Sequence, residues 1–340
     1  MENSLIDHVA NNFDSINDYS DELDSNNYNV DIQSQNARNV IINKFSNFTE
    51  VIYYKQPFLV GNFTNKQNIA IDRSRKFKYD SNNELQIARD GVTFNDLIKS
   101  NNRSRRRSVD TFLGYALCNK WHYFITLTFD SKVIDRKNKA CIQYAWQKFR
   151  QKMQYYFPDV RILLVTEEHK TDGCLHLHGL IGNCDLSPYL SVAINNMKYI
   201  NYFDYNLKQK VYVLDKDGNK VINKYYGSLL KTSFGDQIYN IDSEFYNFGF
   251  NSLIELHKED VPGDNAKVVM YLLKYMKKDY NSVEYNKKAY YRTYNLNYKE
   301  KYVTKSIDTD TGEVLDVLCV DNKIIKKEND KMIVYLVNNN

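Results

Sequence analysis

Two β-type runs, residues 161–169 and 175–181, flank an Asp172-Gly173 turn signal, and this short stretch limits the fold more than any other in the chain. Alternate side chains of a strand share a face, so His176 and His178 project together while Leu177 turns into the core. Glu167 and His169 share a face of the preceding run by the same rule. Antiparallel pairing across the turn then brings a carboxylate opposite two imidazoles. Only six histidines occur in the chain, and three of them fall in this window.

The remaining periodicities extend the pattern. Residues 121–129 are rich in aromatic and β-branched types and read as a strand. A helix is expected over 141–156, with Ile142, Ala145, Trp146, Phe149 and Met153 on one stripe before Pro158 interrupts. Helical spacing resumes over 189–199, residues 211–222 suggest a hairpin around Asp217-Gly218, and a strand over 248–257 precedes a helix over 265–278. Short strands are expected at 303–306, 313–320, 323–326 and 332–337. Residues 41–100 contain short apolar runs (51–54, 57–60, 68–71) without recognisable chemistry. The order strand, helix, strand, strand, helix, strand, helix implies an α+β fold with antiparallel neighbours.

Composition narrows the function classes. With 340 residues and 43% apolar content the chain can bury a substantial core, which excludes a wholly disordered protein. No run of about 18 apolar residues occurs, and residues 1–12 lack a basic stretch followed by an apolar one, so a cytoplasmic protein without membrane span or secretory signal is expected. The five cysteines are widely spaced with no CxxC pair, which argues for reduced thiols. Residues 1–37 hold eight acids and no Lys or Arg, so the overall charge of +4 becomes +12 beyond them. A basic body suggests a polyanionic partner, and the Asn-, Asp- and Ser-rich tail is expected to be disordered.

Three clusters could carry chemistry. Two imidazoles and one hard oxygen with open positions suit Mg²⁺, Mn²⁺ or Zn²⁺, and such a centre can polarise a phosphoryl oxygen. On the helix over 265–278, Val269, Leu272, Leu273 and Met276 form an apolar stripe, while Tyr271, Lys274, Tyr275 and Lys278 repeat the spacing about 200° away, on the opposite face. Two tyrosines interleaved with lysines suit phenol nucleophiles whose ionisation is eased by cations, although a plain amphipathic surface helix has the same pattern. Arg103, Arg105, Arg106 and Arg107 precede a helical pattern (Val109, Phe112, Leu113, Ala116, Leu117) and fit either phosphate contact or a solvated helix start. The segment 227–233 lacks the second glycine and the spacing of a phosphate-binding loop, so no helicase motor is readable.

Taken in order, Phe124-Ile-Thr-Leu-Thr128, Glu167-Glu-His169, His176-Leu-His178 and Tyr271-Leu-Leu-Lys274-Tyr275 resemble the three motifs of HUH endonucleases. The two-tyrosine helix is similar to that of the rolling-circle replication initiators of microviruses and related phages and plasmids. The resemblance covers residues 105–280 and implies a central antiparallel five-stranded sheet with flanking helices. It further implies a divalent cation, Mg²⁺ or Mn²⁺, held by His176, His178 and an acid, Glu167 in preference to Glu168. Nicking of single-stranded origin DNA through Tyr271 or Tyr275, aided by Lys274 and Lys278, would leave a 5′-phosphotyrosine and later rejoin the strand. A helicase and a polymerase of a bacterial host are the implied partners. The chain then divides into an acidic tail (1–40), an extension (41–104), a nicking domain (105–290) with an inserted hairpin near 208–226, and a β-rich end (291–340). Three rivals remain: a relaxase or single-tyrosine transposase of the same superfamily, a non-catalytic nucleic-acid-binding module, and a hydrolase of small phosphoesters. Relaxases normally place the tyrosine ahead of the histidine motif, the reverse of the order here.

Overall fold

The computed structural model describes residues 37–59, 106–169, 172–204, 207, 209–233, 235–256, 266–278, 290–304 and 324–338. In chain order the strands are β1 (Ala37–Lys44), β2 (Phe48–Leu59), β3 (Tyr123–Phe129), β4 (Arg161–Glu168), β5 (Leu175–Gly182), β6 (Leu190–Val192), β7 (Asn201–Asp204) and β8 (Gln209–Tyr212). They continue with β9 (Tyr239–Ile241), β10 (Gly249–Glu255), β11 (Tyr290–Arg292), β12 (Glu300–Thr304), β13 (Ile324–Glu328) and β14 (Met332–Asn338). Three described helices accompany them: α1 (residues 106–116), α2 (Lys139–Tyr156) and α3 (Ala266–Lys278). The architecture is α+β, and every described strand pairing is antiparallel.

The chain divides into two compact units. One takes in residues 1–120, 260–289 and 296–340. Its sheet runs β12-β1-β2-β14-β13, so residues from the two ends of the described chain share one ladder. The stretch that is quiet in the sequence thus holds two long strands. The register of β1 on β2 shifts between Arg38 and Val40, and Pro57 falls in the gap of that ladder, where no paired N–H is required. In this unit α1 buries Val109, Phe112, Leu113, Ala116 and Leu117, and Lys299 pairs with Asp110. The expected runs at 68–71 and 313–320 and most of the acidic tail lie outside the described residues, while residues 37–40 belong to β1.

The second unit comprises residues 121–259 and 290–295. Its sheet has seven strands in the order β11-β4-β5-β3-β10-β9-β6, not the five expected. Both edge strands have three residues, too few for a period-two signal to register. Residues 189–199 correct a second expectation. Instead of a helix they form the end of a 3-10 turn, β6 and a bridged ribbon in which Ile194 opposes Leu229 and Tyr199 opposes Ile222. Val192 and Ile194 are exposed, so the apolar spacing there does not mark a buried helical face. The hairpin at Asp217-Gly218 forms, with Gly218 at φ +80° and the Asp215 carboxylate accepting from the N–H groups of Asp217 and Asn219.

Burial of one sheet face against α2 organises this unit. Asn138 caps the helix by accepting from the Ala140 N–H at 2.9 Å, and Ile142, Ala145, Trp146, Phe149 and Met153 are all buried. They meet Tyr123, Ile125, Leu127, Leu164, Leu175, Leu177 and Ile181 in a single cluster. Gly179 permits the close approach of β4 and β5: a Cβ there would lie 2.1 Å from the Leu163 carbonyl oxygen and 2.4 Å from Leu164 Cδ2. The other residues of each strand are left on the opposite face.

Candidate metal and strand-transfer residues

That opposite face carries the histidines. Pairing of β3, β4 and β5 sets Thr128, His176 and Glu167 side by side in one row, with Thr126, His178 and Val165 in the next. Strand alternation fixes these rows, because Ile125, Leu127, Leu177 and Leu164 are needed on the helix side. Glu167 faces His176 in the register, yet its Oε2 reaches diagonally to His178 Nε2 at 2.9 Å. Glu168 pairs with Leu175 and is exposed. His169 follows the end of β4; its ring lies 6.0 Å from that of His176, and its Nδ1 is 3.5 Å from Asp172 Oδ1.

Both imidazoles are held from behind. Thr126 Oγ1 lies 3.0 Å from His178 Nδ1, and Thr128 Oγ1 lies 3.2 Å from His176 Nδ1. The two rings are nearly parallel, at 15°, with centroids 6.3 Å apart, and Phe124 continues the stack beyond His178. A carboxylate only accepts, so His178 Nε2 carries a proton in this arrangement. A hydroxyl can donate to Nδ1 or accept from it, which lets either tautomer be satisfied. Burial, reinforced by the nearby His169, pushes His176 below the ordinary histidine range despite the opposing charge of Glu167. The two threonines were visible in the sequence as part of a strand motif, but nothing there tied them to the histidines, which are about 50 residues away.

Among the described residues no three His, Cys, Asp or Glu side chains gather around one point as a ready-made metal centre. The donor chemistry nevertheless fits a divalent cation. With Nδ1 of each ring occupied by a threonine, Nε2 is the nitrogen left to face a ligand, and the Glu167 carboxylate already touches one of them. A ligating histidine whose other nitrogen is hydrogen-bonded is the usual arrangement around biological metals.

The tyrosine helix belongs to the other unit. Val269, Leu272, Leu273 and Met276 are buried as expected, while Tyr271 and Lys274 are exposed. Tyr275 departs from the expected outward face, being only 8% exposed against 47% for Tyr271. The reason is angular: Tyr275 borders Leu272 one turn away, so it marks the margin of the apolar stripe rather than its opposite. The Tyr275 hydroxyl donates to that of Tyr271, and the rings meet edge to face with centroids 4.9 Å apart. Lys278 ends the helix, but its side chain lies outside the described residues, as do Arg103 and Arg105. Arg106 and Arg107 open α1. No described helix is long and apolar enough to cross a membrane.

Residues 122–280 match the family model of the replication-associated protein ORF2. This stretch is similar to replication-associated proteins. It contains β3, β4, β5, β10 and α3, the elements that carry the threonines, Glu167, the histidines and both tyrosines. No curated protein and no solved structure matches the chain.

Proposed function

We propose that the protein initiates rolling-circle DNA replication by nicking single-stranded origin DNA and later rejoining it. The observation that carries this reading is the pairing of Glu167 with His178 beside His176, on a stretch similar to replication-associated proteins. Glu167, His176 and His178 would hold a divalent cation, Mg²⁺ or Mn²⁺. Such a cation neutralises charge on a scissile phosphate and favours in-line displacement. Thr126 and Thr128 keep both rings turned so that Nε2 faces the ligand. Tyr271 or Tyr275 supplies the nucleophile: its phenolate oxygen bonds to phosphorus, the bond to the 3′ oxygen breaks, and that oxygen leaves as a hydroxyl after taking up a proton. The 5′-phosphotyrosine conserves the energy of the broken phosphodiester, so a second transfer can rejoin the strand. Lys274 and Lys278 are suited to stabilise phenolate or phosphate, and Arg103, Arg105, Arg106 and Arg107 to bind the backbone. Unwinding and synthesis would fall to a helicase and a polymerase of the host.

The test is incubation with a labelled single-stranded origin library and Mn²⁺, followed by a denaturing gel. A covalent protein–DNA adduct that disappears with chelator supports the proposal. DNA binding without any adduct, unchanged by chelator, would favour a non-catalytic binding module instead.

A further inference from the structure

The row that holds Glu167, His176 and Thr128 continues onto the next strand. In the β10–β3 ladder Phe250 is the direct partner of Thr128, so four adjacent strands present Glu167, His176, Thr128 and Phe250 in line on the same face. Phe250 is 73% exposed. Its neighbours show that the core does not need it. Leu253 fills the helix-side cluster from the same strand, and Asn251 on that side bonds the backbone of Ile241 through both its amide atoms. Phe248, just before the strand, packs against Tyr144 and Tyr246. Among these aromatic residues Phe250 alone offers its ring to solvent from the histidine face.

A single exposed apolar residue is ordinary, and its place in the row is what gives it meaning. Two strand spacings separate Phe250 from His176, about 10 Å. A phosphate at the histidines would therefore have the base of a neighbouring nucleotide within reach of the ring. Phenylalanine offers no hydrogen-bonding group, so it can stack on any base without selecting one. Thr126 and Ser252, paired between the strands, leave a low polar floor beside it rather than a wall.

We infer that Phe250 is a positioning residue: its ring stacks on an unpaired base next to the phosphate and sets where the strand lies on the sheet. This rests on the proposed reading of the histidine site as a phosphate site, and it extends that reading to a base-contacting element. A duplex, whose bases are already stacked on each other, would not engage it.

The test uses the full chain, a short oligothymidylate as probe and chelator to prevent cleavage. Phe250→Ala is expected to weaken binding roughly tenfold or more, and Phe250→Tyr to keep it. The natural tryptophans Trp121 and Trp146 are both buried, so the introduced indole of Phe250→Trp reports on this place alone. Its emission should be quenched at saturation by the single strand and unchanged by a blunt duplex of the same length. Wild-type affinity in Phe250→Ala, or an indole insensitive to the single strand, would overturn the inference. Nicking by the wild-type protein is scored separately with Mn²⁺. Nicking without quenching removes the stacking role and leaves the strand-transfer reading standing, whereas quenching without nicking does the reverse.

Discussion

Glu167 Oε2 contacts His178 Nε2 at 2.9 Å by reaching diagonally across the β4–β5 ladder, although the residue directly opposite Glu167 is His176. One carboxylate therefore serves both rows of the histidine face. Glu168, one residue on, alternates to the other side of the strand opposite Leu175. Glu167→Ala is expected to lower Mn²⁺ affinity and nicking by well over tenfold, and Glu168→Ala to leave both nearly unchanged. Isothermal titration with Mn²⁺ on the two variants decides it. Equal losses, or a larger loss at Glu168, would show that the carboxylate assignment is wrong.

The threonines are predicted to matter through the histidines. Thr126→Val and Thr128→Val keep the shape of the side chain and remove the hydroxyl bonded to Nδ1. A loss of roughly 10- to 100-fold in metal affinity or activity is expected for each, the usual cost of removing a group that orients a ligand. Far-ultraviolet dichroism should show an intact fold. Full metal affinity in the double variant would mean that the rings are oriented without them.

Much of this face was legible in the sequence because one rule produces it. Period-two alternation in β3, β4 and β5 places Leu127, Leu177 and Leu164 inward and leaves Thr128, His176 and Glu167 outward, and each strand lies within about two residues of its expected bounds. What alternation does not encode is which residues meet across strands. The bonds from Thr126 and Thr128 to the histidines depend on long-range register, as does the ladder that joins β1 and β2 to β12 and β14. Pro57 and the irregular register beside it split β2 into fragments that looked too short to be one strand. Helical periodicity failed differently at Tyr275. Angular position separates it from the centre of the apolar stripe, but a large ring at the margin is still covered.

Gly179 provides a test of the register itself. A methyl group there would meet the Leu163 carbonyl oxygen and the Leu164 side chain far inside van der Waals distance. Gly179→Ala should therefore destabilise the protein by about 1–3 kcal/mol, seen as a fall of several degrees in Tm. Histidine-dependent metal binding should weaken with it, because the same strand pairing sets Glu167 beside the rings. An unchanged Tm would contradict the close approach of β4 and β5.

The nucleophile is the centre of the account, and the contrast between Tyr271 and Tyr275 makes it specific. Tyr271 is exposed while Tyr275 is largely covered, and their hydroxyls share a hydrogen bond. Access favours Tyr271 for the first attack, with Tyr275 positioned to exchange with it in a second transfer. The most direct measurement is mass-spectrometric mapping of the nucleotide-bearing peptide after reaction with single-stranded origin DNA and Mn²⁺. The expected result is attachment chiefly at Tyr271 in the wild-type protein, a shift to Tyr275 at a reduced rate in Tyr271→Phe, and no attachment in the double Phe variant. Attachment at a residue outside α3, or undiminished attachment in the double variant, would contradict the strand-transfer mechanism.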